Sequence, residues 1–187
     1  MVSTVHILGI SGSLRKTSYN TGLLRAASEM LPDGATLEIF DLAPIPLYNQ
    51  DLTEGGNIPE SVQRFKARIA AADALLIATP EYNYSIPGVL KNALDWASRP
   101  PKDSPFDDKP LAIMGAGGGL GTGRAQYHLR QVAVFLNLLP LNKPEVLVQR
   151  AWEKFDAQGH LTDEPTRQQV RALLEALVAW TRRLRGG

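Results

Sequence analysis

The chain has 187 residues, the size of one domain, and no cysteine, which excludes disulfides, thiolate metal sites and cysteine nucleophiles together. Its 20 basic and 19 acidic residues leave a net charge of +1, so its charge makes no case for nucleic acid as a partner. The start "MVSTVHILGI" has no charged stretch ahead of its short apolar run, and no window reaches the roughly 18 apolar residues of a membrane helix. The expectation is a single cytoplasmic domain over residues 1–187, with no membrane partner.

Two kinds of segment alternate along the chain. "TVHILGI" is a short β-branched run and predicts a buried strand. Leu23, Leu24, Ala27, Met30 and Leu31 then recur at helical spacing. "ATLEIF" predicts a second strand, and Ile58, Val62, Phe65 and Ile69 a second helix with Pro59 in its first turn. "DALLIAT", the most apolar run, predicts a central third strand; Leu90 and Leu94 lie on a third helix opened by Pro87. "PLAIMGA" is a fourth strand, followed by a helix with Ala125, Leu129, Val132, Ala133 and Leu136 on one face. "EVLVQ" predicts a fifth strand, and Val170, Leu173, Leu174, Leu177, Val178 and Leu184 a last long helix. Five strand–helix repeats imply a parallel sheet with helices on both faces. Five strands suit the flavodoxin-like order 2-1-3-4-5.

In such a sheet, ligands sit beyond the carboxyl ends of the strands where strand order reverses. The loops after strands 1, 3 and 4 are "GISGSLRKTSYN", "TPEYNYSIPG" and "GAGGGLGTGR". The first contains no G-x-x-x-x-G-K-[ST] and no G-x-G-x-x-G, which disfavours nucleoside triphosphates and the usual dinucleotide mode. Asp41, without those glycines, reads as a loop residue. Ser11, Ser13, Thr17, Ser18 and Asn20 supply polar groups at a helix N-terminus, and Arg15 adds a guanidinium, a set that suits a terminal monophosphate. In the second loop Pro80 and Pro87 stiffen the ends, Tyr82 and Tyr84 offer aromatic surface, and Ser85 reads as a helix cap. Glu81 is a weak candidate for a catalytic acid, since no second carboxylate or histidine accompanies it. The glycines of the third loop let a planar ligand approach the backbone.

"GSLRKTSYN", "PEYNYSIPGVLKNALDW" and "GGGLGTGRAQYHLRQV", in this order, resemble the NADPH-dependent FMN reductase family near its quinone and chromate reductase and azoreductase branch. The resemblance runs roughly from strand 1 to strand 5. It implies a flavodoxin-like three-layer α/β fold, bound FMN, NADPH or NADH as co-substrate, and a homodimer or homotetramer. It implies hydride transfer through FMN to quinones or to azo dyes, chromate or free flavin, by a ping-pong mechanism. By position, Ser11, Ser13, Arg15, Ser18, Tyr19 and Asn20 would hold the FMN phosphate. Pro80, Glu81, Tyr82, Asn83, Tyr84 and Ser85 would line the isoalloxazine, with Gly117, Gly118 and Gly119 beside it. Because the cofactor carries the redox chemistry, no catalytic side chain and no metal is expected. The alternative is a flavodoxin-like electron carrier or redox-sensing module without NAD(P)H activity, which the near-neutral charge disfavours.

His6, His128 and His160 are too dispersed for a metal site, and Trp96, Trp152 and Trp180 are expected in the core or an interface. Arg124, Tyr127 and Arg130 share one helical face, expected at a subunit interface beside the flavin with Glu145 as an ionic partner. The basic end "RRLRGG" reads as a solvated helix terminus.

Overall fold

A computed structural model describes residues 3–186. The strands are β1 (Val5–Ser11), β2 (Ala35–Phe40), β3 (Ala74–Ala78), β4 (Pro110–Ala116), β5 (Leu139–Pro140) and β6 (Val146–Val148). The helices are α1 (Tyr19–Glu29), α2 (Glu60–Ala71), α3 (Gly88–Ala97), α4 (Gly123–Phe135) and α5 (Glu164–Arg185). All pairings are parallel, in the order β2-β1-β3-β4-β5, as expected. The fifth position differs in detail. It is shared by β5, which pairs with Pro110 and Leu111 at the start of β4, and β6, which pairs with Met114 to Ala116 at its end. A two-residue Leu–Pro strand carries no alternation to read, so only β6 was visible as "EVLVQ".

Period-two alternation divides the core between the two faces of the sheet. Val5, Ile7, Ala74, Leu76, Ala78, Ala112, Met114 and Ala116 pack with α1 and α5. Leu8, Ile10, Leu75, Ile77, Leu111 and Ile113 pack with α2, α3 and α4. Each of these large side chains contributes about 1.5–3 kcal/mol by leaving water. Of the predicted last-helix face, Leu184 alone is exposed, at the helix end.

The long connection after β2 is fastened rather than loose. The Pro46 carbonyl accepts from Asn92 Nδ2 and Trp96 Nε1, both at 2.8 Å, and Tyr48 meets Trp96 edge-on at 4.9 Å. Trp96 is core and Trp180 is partly buried, its Nε1 donating to the Leu139 carbonyl at 3.1 Å, whereas Trp152 is exposed. Asp41 accepts from the Ala43 amide in a local turn, as a loop residue would.

Candidate active site

The three loops leave adjacent strands at one end of the sheet. The Gly12 amide donates to Ala78 at the end of β3, and the Thr79 amide to Met114 of β4, so the loops start in register. A Cβ on Gly12 would lie 2.9 Å from Pro87 and 3.0 Å from Pro80, which makes this glycine the contact between the first and second loops.

The first loop is tied internally. The Ser18 side chain caps α1 through the Thr21 amide at 3.3 Å, and Ser11 Oγ accepts from Thr21 Oγ1 at 2.9 Å. Arg15 donates to the Thr17 carbonyl and lies over the Tyr19 ring, which rests on Phe155. The amides of Leu14, Lys16, Thr17, Tyr19 and Asn20 have no acceptor among the described residues. Five free N–H groups at the start of a helix, beside an exposed guanidinium, suit a phosphate. Asn20 contributes only its amide, because its side chain is buried and bonded to Ala116 of β4 at 3.0 Å in both directions.

The second loop is a tight turn. Tyr82 and Ser85 exchange backbone hydrogen bonds, both 3.0 Å, around Asn83 (φ 49°) and Tyr84 (φ 66°). Two consecutive left-handed residues, neither a glycine, cost about 1–2 kcal/mol each. Ser85 is not the helix cap it was expected to be: Pro87 occupies that position without a side-chain cap bond. A hydroxyl two residues upstream cannot reach the first helical amides, and Ser85 Oγ lies instead 2.9 Å from Nδ1 of His128 on α4.

Glu81, Asn83, Tyr84, Gly118, Gly119, Leu120, Gly121 and Arg124 surround a cavity of about 360 Å³ between the second and third loops. Five of these were expected at a flavin ring. Pro80, Tyr82, Ser85 and Gly117 are not on its wall. A Cβ on Gly118 or Gly119 would meet nothing within 4 Å, whereas one on Gly117 would come within 2.5 Å of Gly121 O. Gly117 therefore serves the loop's own packing, while Gly118 and Gly119 leave backbone open to the cavity. Leu120 and Gly121 were missed; a lone apolar residue among glycines was the available signal. A larger cavity of about 490 Å³ lies near the other end of α3, lined by Tyr48, Trp96, Arg99 and Pro100 among others, and no residue of the three loops reaches it.

On the α4 face, Arg130 and Tyr127 both act on the Glu145 carboxyl, as expected of an ionic partner, and Lys143 joins them. Arg130 donates to the Leu141 carbonyl at 3.0 Å, and Glu145 pairs with Lys143 at 2.8 Å. The hydrogen bond from Lys143 holds the Glu145 carboxyl below its ordinary range. Arg124 turns to Glu81 and lies 3.6 Å from the centre of the Tyr84 ring.

A family model described as NADPH-dependent FMN reductase matches residues 5–153. The chain belongs to the NADPH-dependent FMN reductase family. All three loops of this FMN reductase family member fall inside the matched region. The chain is 56% identical over 187 residues to an NAD(P)H-dependent FMN reductase of Pseudomonas aeruginosa, covering 100% of both. It is 49% identical over 187 residues to an NADPH:quinone oxidoreductase of Arabidopsis thaliana, covering 97% of this chain and 94% of that one. Among solved structures, a flavoenzyme NAD(P)H:(acceptor) oxidoreductase from Paracoccus denitrificans superposes with a TM-score of 0.87 at 34% identity, covering 96% of this chain and 98% of that one.

Proposed function

We propose that this protein is an FMN-dependent NAD(P)H oxidoreductase that delivers hydride to quinones in a ping-pong cycle. Azo dyes, chromate and free flavin are further acceptors of the same class. The observation that carries the reading is two features at the same end of the sheet: five free amides at the start of α1, and a cavity walled by Gly118 and Gly119. The relatives named for FMN and quinone reduction, matched over 100% and 94% of their length, support it.

When bound, FMN supplies the two-electron redox chemistry. The chain's own part is to hold and surround it. Arg15, Ser11, Ser13 and the free amides of Thr17, Tyr19 and Asn20 would take the phosphate. Glycines without side chains would admit the ring, and the amides of Asn83 and Tyr84, which have no acceptor among the described residues, would face it as unpaired donors.

The protein self-associates, as a homodimer or homotetramer, through the outer face of α4. Val134 is 81% and Phe135 75% exposed there, and Tyr127 is exposed beside them. Apolar side chains of that size clustered on one helix mark an association surface. No helix among the described residues is long and apolar enough to cross a membrane. A chain without cysteine suits the cytoplasm.

The test is the absorbance of the purified protein, followed by anaerobic titration with NADPH and NADH. The flavin bands are expected to bleach without a protein partner and to return on adding a quinone. A colourless protein that takes up no FMN would sink the proposal.

A further inference from the structure

Glu81 stands in the cavity wall, yet its carboxylate is turned into the protein, with the side chain only 8% exposed. One oxygen accepts from the backbone amides of Arg124 and Ala125 at 3.0 and 3.2 Å, the first turn of α4. The other accepts from Arg124 Nε at 2.6 Å. Four residues on, Ser85 meets His128 on the same helix, and the Arg124 guanidinium lies over Tyr84 between these two points. The turn itself is exposed and carries two left-handed residues, so no core side chain holds its shape. Its two ends are pinned to α4 instead.

We propose that Glu81 is a positioning residue that, with His128, clamps the Tyr82–Ser85 turn onto α4 in the one shape that leaves the Asn83 and Tyr84 amides unpaired at the cavity. This rests on the reading that the cavity receives the flavin ring. Both oxygens of this carboxylate are taken up by three donors at the start of α4, so it is turned away from the cavity. Glu81 therefore acts through the backbone of the turn, on the cofactor's affinity and potential, and takes no part in proton transfer. The same geometry accounts for a glutamate in the flavin-facing loop without a second acid or base beside it.

The experiment compares FMN-loaded wild type with Glu81→Ala, Glu81→Gln and His128→Ala. Arg68→Ala, which removes a surface ion pair with Glu38 outside the three loops, is the control. The midpoint potential of bound FMN is read by dye equilibration, its dissociation constant by fluorescence, and the pH profile of kcat by steady-state kinetics. Glu81→Ala is expected to weaken the preference for reduced over oxidised FMN about tenfold, a shift of about 30 mV to more negative potential for a two-electron couple. FMN affinity falls alongside. Glu81→Gln and His128→Ala shift the potential in the same direction by less, the control does not, and the Glu81→Gln pH profile keeps the wild-type shape. If Glu81→Ala does not fold, the other two variants carry the test. Unmoved potential and affinity in an FMN-loaded Glu81 variant overturn the clamp, as does loss of an ionisation from the Glu81→Gln profile. A wild-type protein without FMN overturns the site assignment on which the clamp rests, a separate and recognisable result.

Discussion

The amide side chain of Asn20 behaves as one more residue of the sheet. Its Nδ2 donates to the Ala116 carbonyl and its Oδ1 accepts from the Ala116 amide, both at 3.0 Å. This pair joins the start of α1 to the end of β4, and so joins the first loop to the glycine loop. Asn20→Ala would strand two buried backbone groups, which costs about 1–3 kcal/mol each when no partner replaces the lost one. Urea unfolding should show a loss of about 2 kcal/mol, with weaker FMN binding. A loss below about 0.5 kcal/mol would mean that water takes over the role of the amide.

Two glycines separate packing from ligand access. A Cβ on Gly22 would lie 2.1 Å from the Gly159 carbonyl, where α1 rests on the Phe155–Leu161 segment behind the first loop. Gly22→Ala should cost roughly 1–3 kcal/mol of stability through overpacking, even though alanine favours helix. Gly118→Ala meets open space, so the apoprotein should keep its stability within about 0.5 kcal/mol while FMN binds at least about tenfold more weakly. Equal FMN affinity in Gly118→Ala and wild type would place the ring elsewhere.

Arg15 is exposed, and among the described residues its only side-chain hydrogen bond is to the Thr17 carbonyl within the first loop. If it closes on the phosphate, Arg15→Ala should weaken FMN about tenfold and leave riboflavin, which has no phosphate, unaffected. A paired titration of the two flavins decides this, and parallel losses for both would count against a phosphate contact.

Val134 and Phe135 carry the prediction of self-association. Replacing both with glutamate should shift the sedimentation coefficient of the holoprotein to that of a smaller species without lowering its thermal stability by more than a few degrees. Identical sedimentation of variant and wild type would move the interface off α4.

Asp163 caps α5, accepting from the amide and hydroxyl of Thr166, and those bonds hold its carboxyl below the ordinary range. Its folded pKa is below its unfolded one of about 3.9, so its contribution is complete above that value and fades as pH falls through the lowered folded pKa. Asp163→Ala should cost about 1 kcal/mol at pH 7 and progressively less on acidification. Urea midpoints at pH 7 and about pH 2.5 test this; an equal penalty at both would show that packing rather than the carboxylate matters.

Much of the fold could be read directly. "ATLEIF" and "PLAIMGA" coincide with β2 and β4 residue for residue, because β-branched or apolar runs bounded by turn residues are a local signal. Local signals failed where a residue's partner is distant. Ser85 looked like a cap because serine before a helix usually is one; a histidine 43 positions away claims it. Glu81 looked like an isolated acid, and its partners are also 43 and 44 positions on.

The sequence alone determined the strand order and the three loops that leave adjacent strands at one end of the sheet, since these follow from periodicity and topology. Only the tertiary structure decided which members of those loops face the cavity and which hold the loops in place. That division depends on which polar groups find partners across more than 40 residues of chain, and hydrogen-bond satisfaction in a packed interior is a property of three-dimensional neighbours, not of neighbours in sequence.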